Sequence, residues 1–325
     1  MGMEIELRRR NLLGGGGVAV LSSLLSCRLR FELAKSFQDA SRADGANRIL
    51  ALGRVSGMEP GMIDYYAFAS EQSGTIPLAK DGLVPEQIEI DSTVSVRRSW
   101  ATTGPQSTVT TGVSRCRLGA NDCRITELLF EGAFIAISTD GERVAIYGVP
   151  LTADRRYRAR GLYLFEKDRQ QWRVVESSAD PDGRSFPPPE GNFSSDARYL
   201  CVSVSGVVTL IDAVTGKGLA SFRGSGGRIS PNGLAVSYIA NSNKLRVANW
   251  KDGSLADLPD LGAAVTKAQW SDNSQLIYYR VNRKQWIPAF APSTAVVVHV
   301  SARQYLFAWW LPWAGNAYTW IRVPA

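Results

Sequence analysis

The sequence predicts an all-β protein, and three observations carry that prediction. One unit, an apolar residue followed by Ser, a polar turn and a strand-like run, recurs four times between residues 128 and 280. Few stretches show a helical period, whereas short runs rich in β-branched and aromatic residues are common. The chain also carries 30 Gly and 15 Pro, the punctuation expected of many short strands.

The four units are Ile137-Ser138-Thr139-Asp140-Gly141, Phe193-Ser194-Ser195-Asp196-Ala197, Ile229-Ser230-Pro231-Asn232-Gly233 and Trp270-Ser271-Asp272-Asn273-Ser274. Ser, Asp and Asn can hydrogen-bond their own turn, and Gly or Asn tolerates positive φ, so such a turn is built locally. Each is followed by a strand-like run, such as Arg143-Val144-Ala145-Ile146-Tyr147 or Leu234-Ala235-Val236-Ser237-Tyr238. The second halves of the units agree. Val207 to Asp212 and Gly218 to Phe222 flank a Gly-containing turn, Leu162 to Phe165 and Trp172 to Val175 flank another, and Lys244 to Ala248 is the matching strand of the third unit.

The four serines are separated by 56, 36 and 41 residues. A period near 40 to 45 residues with several strands per unit is the spacing of a propeller blade. The expected fold is therefore a β-propeller of about six or seven four-stranded blades. An antiparallel sandwich is the alternative, because Ser-Asp-Gly turns serve any such sheet. At these turns the chain resembles WD-repeat and TolB-like β-propellers, whose blades carry a similar Trp-Ser-Pro-Asp-Gly turn before a strand. The resemblance covers about half the chain and implies a rigid ring with variable loops on both faces.

Three segments are expected: an export signal peptide at 1–27, a tether at 28–47 and the propeller domain at 48–325. Arg8-Arg9-Arg10 precedes a weakly apolar, Gly-rich stretch from Leu12 to Leu25 that ends at Ser26-Cys27. A basic head, an apolar segment and a small residue before a cut are the parts of a signal peptide. The apolar stretch is shorter than the roughly 20 residues a spanning helix needs. Arg9-Arg10-Asn11-Leu12-Leu13 resembles the twin-arginine export motif. Leu24-Leu25-Ser26-Cys27 resembles a bacterial lipobox, which implies acylation of Cys27; an ordinary signal with a chance cysteine is the alternative. Glu4 and Glu6 are unusual in such a head.

Through the tether the chain is polar, with an expected helical turn at 31–37. Arg48 to Leu52 is the first convincing strand, and the segment from Met58 to Phe68 reads as irregular. Thr93 to Val96 and Thr108 to Thr111 read as strands either side of a Gly104-Pro105 turn. Cys116 and Cys123 enclose a turn-rich loop of six residues. In an oxidising compartment they read as a local disulfide, with free thiols or half a metal site as alternatives. Cys201 lies in a buried-strand context and reads as an inert core thiol.

Arg155, Arg156, Arg158 and Arg160 form the densest basic cluster after the signal, with Tyr157 inside it. Arginine forks pair with oxyanions, so the cluster is a candidate site for phosphate, sulfate or uronate; a solvated insertion is the other reading. Residues 181–191, with three consecutive prolines, read as a connecting loop. Near the C-terminus Tyr305, Phe307 and Trp309 alternate, which places rings on one strand face. Core packing accounts for most of them, and a stacking surface could use the rest.

The net charge is +7, but the basic residues are mostly dispersed, which disfavours nucleic acid. A single histidine, His299, sits in an apolar run and reads as packed rather than catalytic. No serine-hydrolase elbow and no phosphate-binding or dinucleotide-binding glycine motif is present. No cofactor, metal site or catalytic residue is assigned. The expected function is an exported, non-catalytic binding or scaffold module at the bacterial cell envelope, periplasmic or lipid-anchored through Cys27. Its partner would be an envelope protein or an anionic polysaccharide, with the membrane touched only through the anchor. The alternative is an exported propeller enzyme, a lyase or hydrolase acting on envelope or extracellular polysaccharide. Finally, a closed ring requires strands near both ends of the domain, 48–52 and 319–323, to share one sheet.

Overall fold

The computed structural model describes residues 48–56, 61–67, 72–77, 87–91, 94–104, 107–117, 123–151, 160–175, 189–258, 264–282, 294–300, 304–308 and 319–324. The expected signal peptide, its Cys27 and the tether lie outside them. In chain order the strands are β1 (Arg48–Val55), β2 (Met62–Ala67), β3 (Gln72–Pro77), β4 (Gln87–Asp91), β5 (Val94–Gly104), β6 (Ser107–Arg117), β7 (Cys123–Ile137) and β8 (Arg143–Pro150). There follow β9 (Gly161–Glu166), β10 (Gln171–Val174), β11 (Glu190–Phe193), β12 (Tyr199–Val204), β13 (Val207–Asp212), β14 (Gly218–Ile229), β15 (Ala235–Ala240) and β16 (Leu245–Asn249). The last are β17 (Leu255–Asp257), β18 (Ala264–Trp270), β19 (Leu276–Asn282), β20 (Thr294–His299), β21 (Gln304–Ala308) and β22 (Thr319–Pro324). No helix occurs among the described residues.

These strands make four antiparallel sheets, ordered β22-β1-β2-β3, β10-β9-β8-β7-β6-β5-β4, β11-β12-β13-β14-β15-β16-β17 and β18-β19-β20-β21. Within each sheet almost every pairing joins strands consecutive in the chain. The exception joins the ends: Arg48 to Gly53 of β1 pair with Thr319 to Pro324 of β22, in the register Ile49↔Val323 and Ala51↔Ile321. The strands expected to meet do share a sheet.

Two strands are long, β7 with 15 residues and β14 with 12. Each changes partner along its length. The first part of β7 pairs with β6 and its second part, from Phe130, with β8. Likewise β14 pairs with β13 up to Arg223 and with β15 from Gly224, with a register shift between Ser225 and Arg228. Glycine permits both changes of direction. Gly132 has φ +134, and a Cβ there would strike the Tyr147 carbonyl oxygen; Gly226 has φ +64. This sharing of one strand between two ladders is what the sequence did not announce.

Side-chain alternation puts the core between successive four-strand groups rather than inside one sandwich. Val113, Leu128, Phe130, Val144, Ile146, Phe165 and Trp172 form one such layer, with the Phe165 and Trp172 rings 5.0 Å apart. Ile135, Tyr147, Leu164, Phe193, Leu200 and Ile211 form the next, and Tyr199, Cys201, Leu210, Ile229 and Val236 the one after. Each fully buried large side chain contributes about 1.5–3 kcal/mol of transfer free energy. Where one layer touches the next, β7 lies against β11, β11 against β14, β14 against β18, β18 against β22, and β22 against β4.

Residues 62–67 and 72–77 are regular strands, contrary to the irregular reading of 58–68 where the two overlap. They form the β2–β3 hairpin, with Ile63↔Ile76 and Tyr65↔Gly74 opposite one another. Only Ile63 and Ala67 of β2 are buried, so the hydrophobic alternation that would have marked the strand is weak.

Candidate functional site

The four recurring turns fold alike, and the bonds explain why Ser and Asp or Asn are needed. Ser138, Ser194, Ser230 and Ser271 are all buried, each at the end of β7, β11, β14 or β18. Each hydroxyl donates to the acid or amide two residues on: Ser138 to Asp140, Ser194 to Asp196 (2.5 Å), Ser230 to Asn232 (2.7 Å) and Ser271 to Asn273 (2.6 Å). The same Oδ1 accepts a backbone N–H two residues further, from Glu142 (3.0 Å), Arg198 (3.1 Å), Leu234 (3.1 Å) and Gln275 (3.2 Å). In three turns the serine oxygen also accepts from the strand that follows, from the amides of Arg143, Tyr199 and Ala235 at 2.9, 3.0 and 2.9 Å. A buried hydroxyl that both donates and accepts is itself fully satisfied. The left-handed position falls on Gly141 and Gly233 in two turns, and on Ala197 and Ser274 in the others.

Consecutive turns are bonded to each other, so they occupy one face of the molecule. Arg143 Nη1 donates to the Ala197 carbonyl at 3.0 Å. Ser195 N donates to the Pro231 carbonyl at 2.8 Å. Asn232 N donates to Ser274 Oγ at 2.9 Å. The series ends on the last strand, where Arg322 Nε and Nη2 donate to the two carboxylate oxygens of Asp272 at 2.7 and 2.8 Å. Arg322 is buried with this partner.

Beneath the turns, β11, β14, β18 and β22 are tied side by side. Asn192 makes a two-way bond to the Ile229 backbone, both contacts at 2.8 Å. Trp270 Nε1 donates to the Arg228 carbonyl at 3.2 Å and Trp320 Nε1 to the Gln269 carbonyl at 3.3 Å. The charges at this level are paired as well: Glu190 and Arg228 meet at 2.8 Å. Behind them the Cys201 thiol is pushed up to about 12 by burial, with Arg228 drawing it down and Glu190 pushing it back up. That thiol is not a nucleophile at neutral pH. At the first turn burial pushes the Asp140 carboxyl up, but bonds from Ser138 and the Glu142 amide, with Arg143 nearby, outweigh it and leave it below its ordinary value. Among the described residues no group of three or more His, Cys, Asp or Glu could hold a metal ion.

The residues singled out from the sequence fall elsewhere. Cys116 and Cys123 stand opposite each other on β6 and β7 with Cα atoms 4.0 Å apart, and their sulfurs are bonded. Cys201 is free and buried. Of the arginine cluster, Arg160 is exposed just before β9, while Arg155, Arg156 and Arg158 lie outside the described residues. His299 pairs through its backbone with Leu276 and Gln304; its side chain lies outside the described set. The sequence pointed to the turns but gave no sign of the Glu190–Arg228 and Asp272–Arg322 pairs, since each joins residues dozens of positions apart.

No family model matches the chain, and no curated protein does. Among solved structures, TolB from Acinetobacter baumannii superposes with a TM-score of 0.50 at 13% identity, over 86% of this chain and 67% of that one. The fold is therefore TolB-like, that of a β-propeller. Matching solved chains number 1150, so a fold this widely used does not by itself choose a function.

Proposed function

We propose that the chain is a six-bladed propeller acting as a non-catalytic binding or scaffold module at the bacterial cell envelope. Each seven-stranded sheet counts as two four-stranded blades that share β7 or β14, and the two four-stranded sheets supply the rest. Pairing of β22 with β1 then closes the ring, the end of the chain completing the blade that its beginning started. The export signal at 1–27, the acylation of Cys27 and the periplasmic location belong to this reading, as does recognition of an envelope protein or an anionic polysaccharide. Arg155, Arg156, Arg158 and Arg160 remain its candidate anion contacts.

The observation that carries the non-catalytic reading is the pairing of charges around the inner strands. Glu190 is held by Arg228, and Asp272 by Arg322. A catalytic funnel would instead be expected to present carboxylates or arginines converging on open space. A ring of turns locked to one another suits a rigid platform whose loops do the recognising.

The experiment is fractionation of a bacterial host making the full chain, with photo-crosslinkers placed at exposed Leu234 on the turn face and at Leu151 on the opposite side. The chain should be found in the envelope, should shift to soluble periplasm on Cys27→Ala, and should crosslink to one recurrent envelope component from one face. An uncleaved cytosolic product, or depolymerisation of an envelope polysaccharide by the purified protein, would replace this reading.

A further inference from the structure

We propose that the outer half of β7, from Arg124 to Leu129, is a docking edge for an extended, apolar segment of a partner protein carrying a cation at its centre. The inference deepens the binding-module reading by naming where one partner docks and what chemistry it brings. Along this stretch Thr126, Leu128 and Phe130 are buried, and the alternate residues Ile125, Glu127 and Leu129 are exposed. Ile125 is 41% and Leu129 49% exposed, and Leu151, 39% exposed, lies beside Leu129 through a bond from its N–H to the Leu129 carbonyl at 2.9 Å. On one side β7 is bonded to β6; on the other, β8 begins to pair only at Phe130. Between Arg124 and Leu128 no strand among the described residues lies along the outer edge.

An open edge that presents apolar side chains invites another strand, and proteins usually blunt such edges by shortness, charge or proline. Three of the other edges described here are blunted in those ways. β3 is polar and ends in Pro77, β10 has 4 residues, and β17 has 3 and ends in Asp257. Outer β7 is longer, has no proline, and sets exposed Ile125 and Leu129 on either side of Glu127, with Arg124 at its start. The bond from Leu151 to Leu129 extends the antiparallel β7–β8 ladder by one residue onto this edge.

Charge selects the occupant. A second copy pairing antiparallel so that Ile125 and Leu129 face each other would set Glu127 against Glu127, and like charges directly opposite are destabilising. A partner strand with apolar residues flanking a lysine or arginine meets all three side chains. Strand addition of this kind takes affinity from backbone bonds and specificity from alternate side chains.

The test uses the full chain and a synthetic peptide of about ten residues, alternating Val and Thr around a central Lys. Binding by fluorescence anisotropy should be accompanied by slowed amide exchange confined to residues 123–129. Glu127→Lys should weaken this peptide about tenfold and favour one with a central Glu, while Ile125→Lys should weaken both. Both positions are exposed, and unchanged thermal melts would show that the variants fold. The proposal is overturned if the peptide does not bind, if the charge swap leaves the preference unchanged, if the edge amides are already slow without peptide because the chain covers its own edge, or if the protein self-associates through residues 123–129. Envelope crosslinking is read separately, so either result can fail without the other.

Discussion

Arg322, opposite Leu50 in the register of β22 with β1, grips both oxygens of Asp272 in the β18–β19 turn, 50 residues earlier in the chain. The bond ties the strand that pairs with the first strand of the domain to the sheet made by the last hairpins. In the chain β22 follows β21 of that sheet, and this side-chain bond adds a second tie between the two. Its partners are unequally placed, the Arg322 side chain at 1% exposure and that of Asp272 at 28%.

Removing the acid should therefore hurt more than removing both. Asp272→Ala leaves a buried guanidinium without its carboxylate and should cost about 3 kcal/mol in urea unfolding. Arg322→Leu combined with Asp272→Ala should be clearly milder than the single change, because no charge is stranded. Equal losses would show that the pair does not hold this junction.

Truncation tests the same junction. Deleting from Tyr318 onward removes β22, uncovers Leu50, Leu52 and Ile63, and leaves the edge of β1 open. The expected product aggregates instead of folding as a trimmed domain, read by light scattering during refolding. A truncated chain that unfolds cooperatively with the full-length midpoint would refute closure by β22.

Ser138, Ser194 and Ser230 should each matter by a similar amount, since each makes the same bonds. Ser194→Ala and Ser230→Ala remove an acceptor from the buried amides of Tyr199 and Ala235, and a donor to Asp196 and Asn232. Each should cost about 1–3 kcal/mol by chemical denaturation. A substitution within error of the parent at both sites would mean the turns hold without their hydroxyls.

Acid should weaken the fold over a definable window. Asp140 and Asp212 both lie below the ordinary carboxylate value of 3.8; burial pushes each up, but Ser138 and the Glu142 amide for Asp140, and the Thr215 and Val214 amides for Asp212, outweigh it. With the folded value the lower one, the unfolded chain takes up its proton first as pH falls. The stabilisation is complete above the unfolded value and is lost as pH drops from 3.8 through the depressed folded value. Urea midpoints measured down this range should fall, and Ser138→Ala should remove part of the share due to Asp140.

The cysteines should react unequally. In protein isolated from an oxidising compartment, Cys116 and Cys123 should be found linked by non-reducing mass spectrometry. Cys201, buried and with its thiol at about 12, should alkylate only after denaturation. Reduction should cost about 2 kcal/mol on the chain-entropy estimate for so short a loop. Quantitative alkylation of Cys116 and Cys123 in the native, unreduced protein would reject the link.

What the sequence determined by itself is whatever is bonded within a few residues. Ser138, Asp140 and Arg143 lie within six positions, so the turn they build leaves a fixed pattern that recurs three more times. Hairpins such as β13–β14, joined through Asp212 and Gly216, are equally local, and so legible. Tertiary structure decided everything that depends on one unit meeting another. Ser195 finds Pro231, Asn232 finds Ser274, and Arg322 finds Asp272 only once the strands stand side by side, and such spacings have no period to read. The same holds for β7 and β14: the sequence marked only 218–222 of β14 as strand, and neighbouring sheets determine how far each strand runs and where it changes partner. The outer edge at Ile125, Glu127 and Leu129 is likewise a property of position, because exposure depends on which strand stops alongside it, and no run of residues encodes where its neighbour ends.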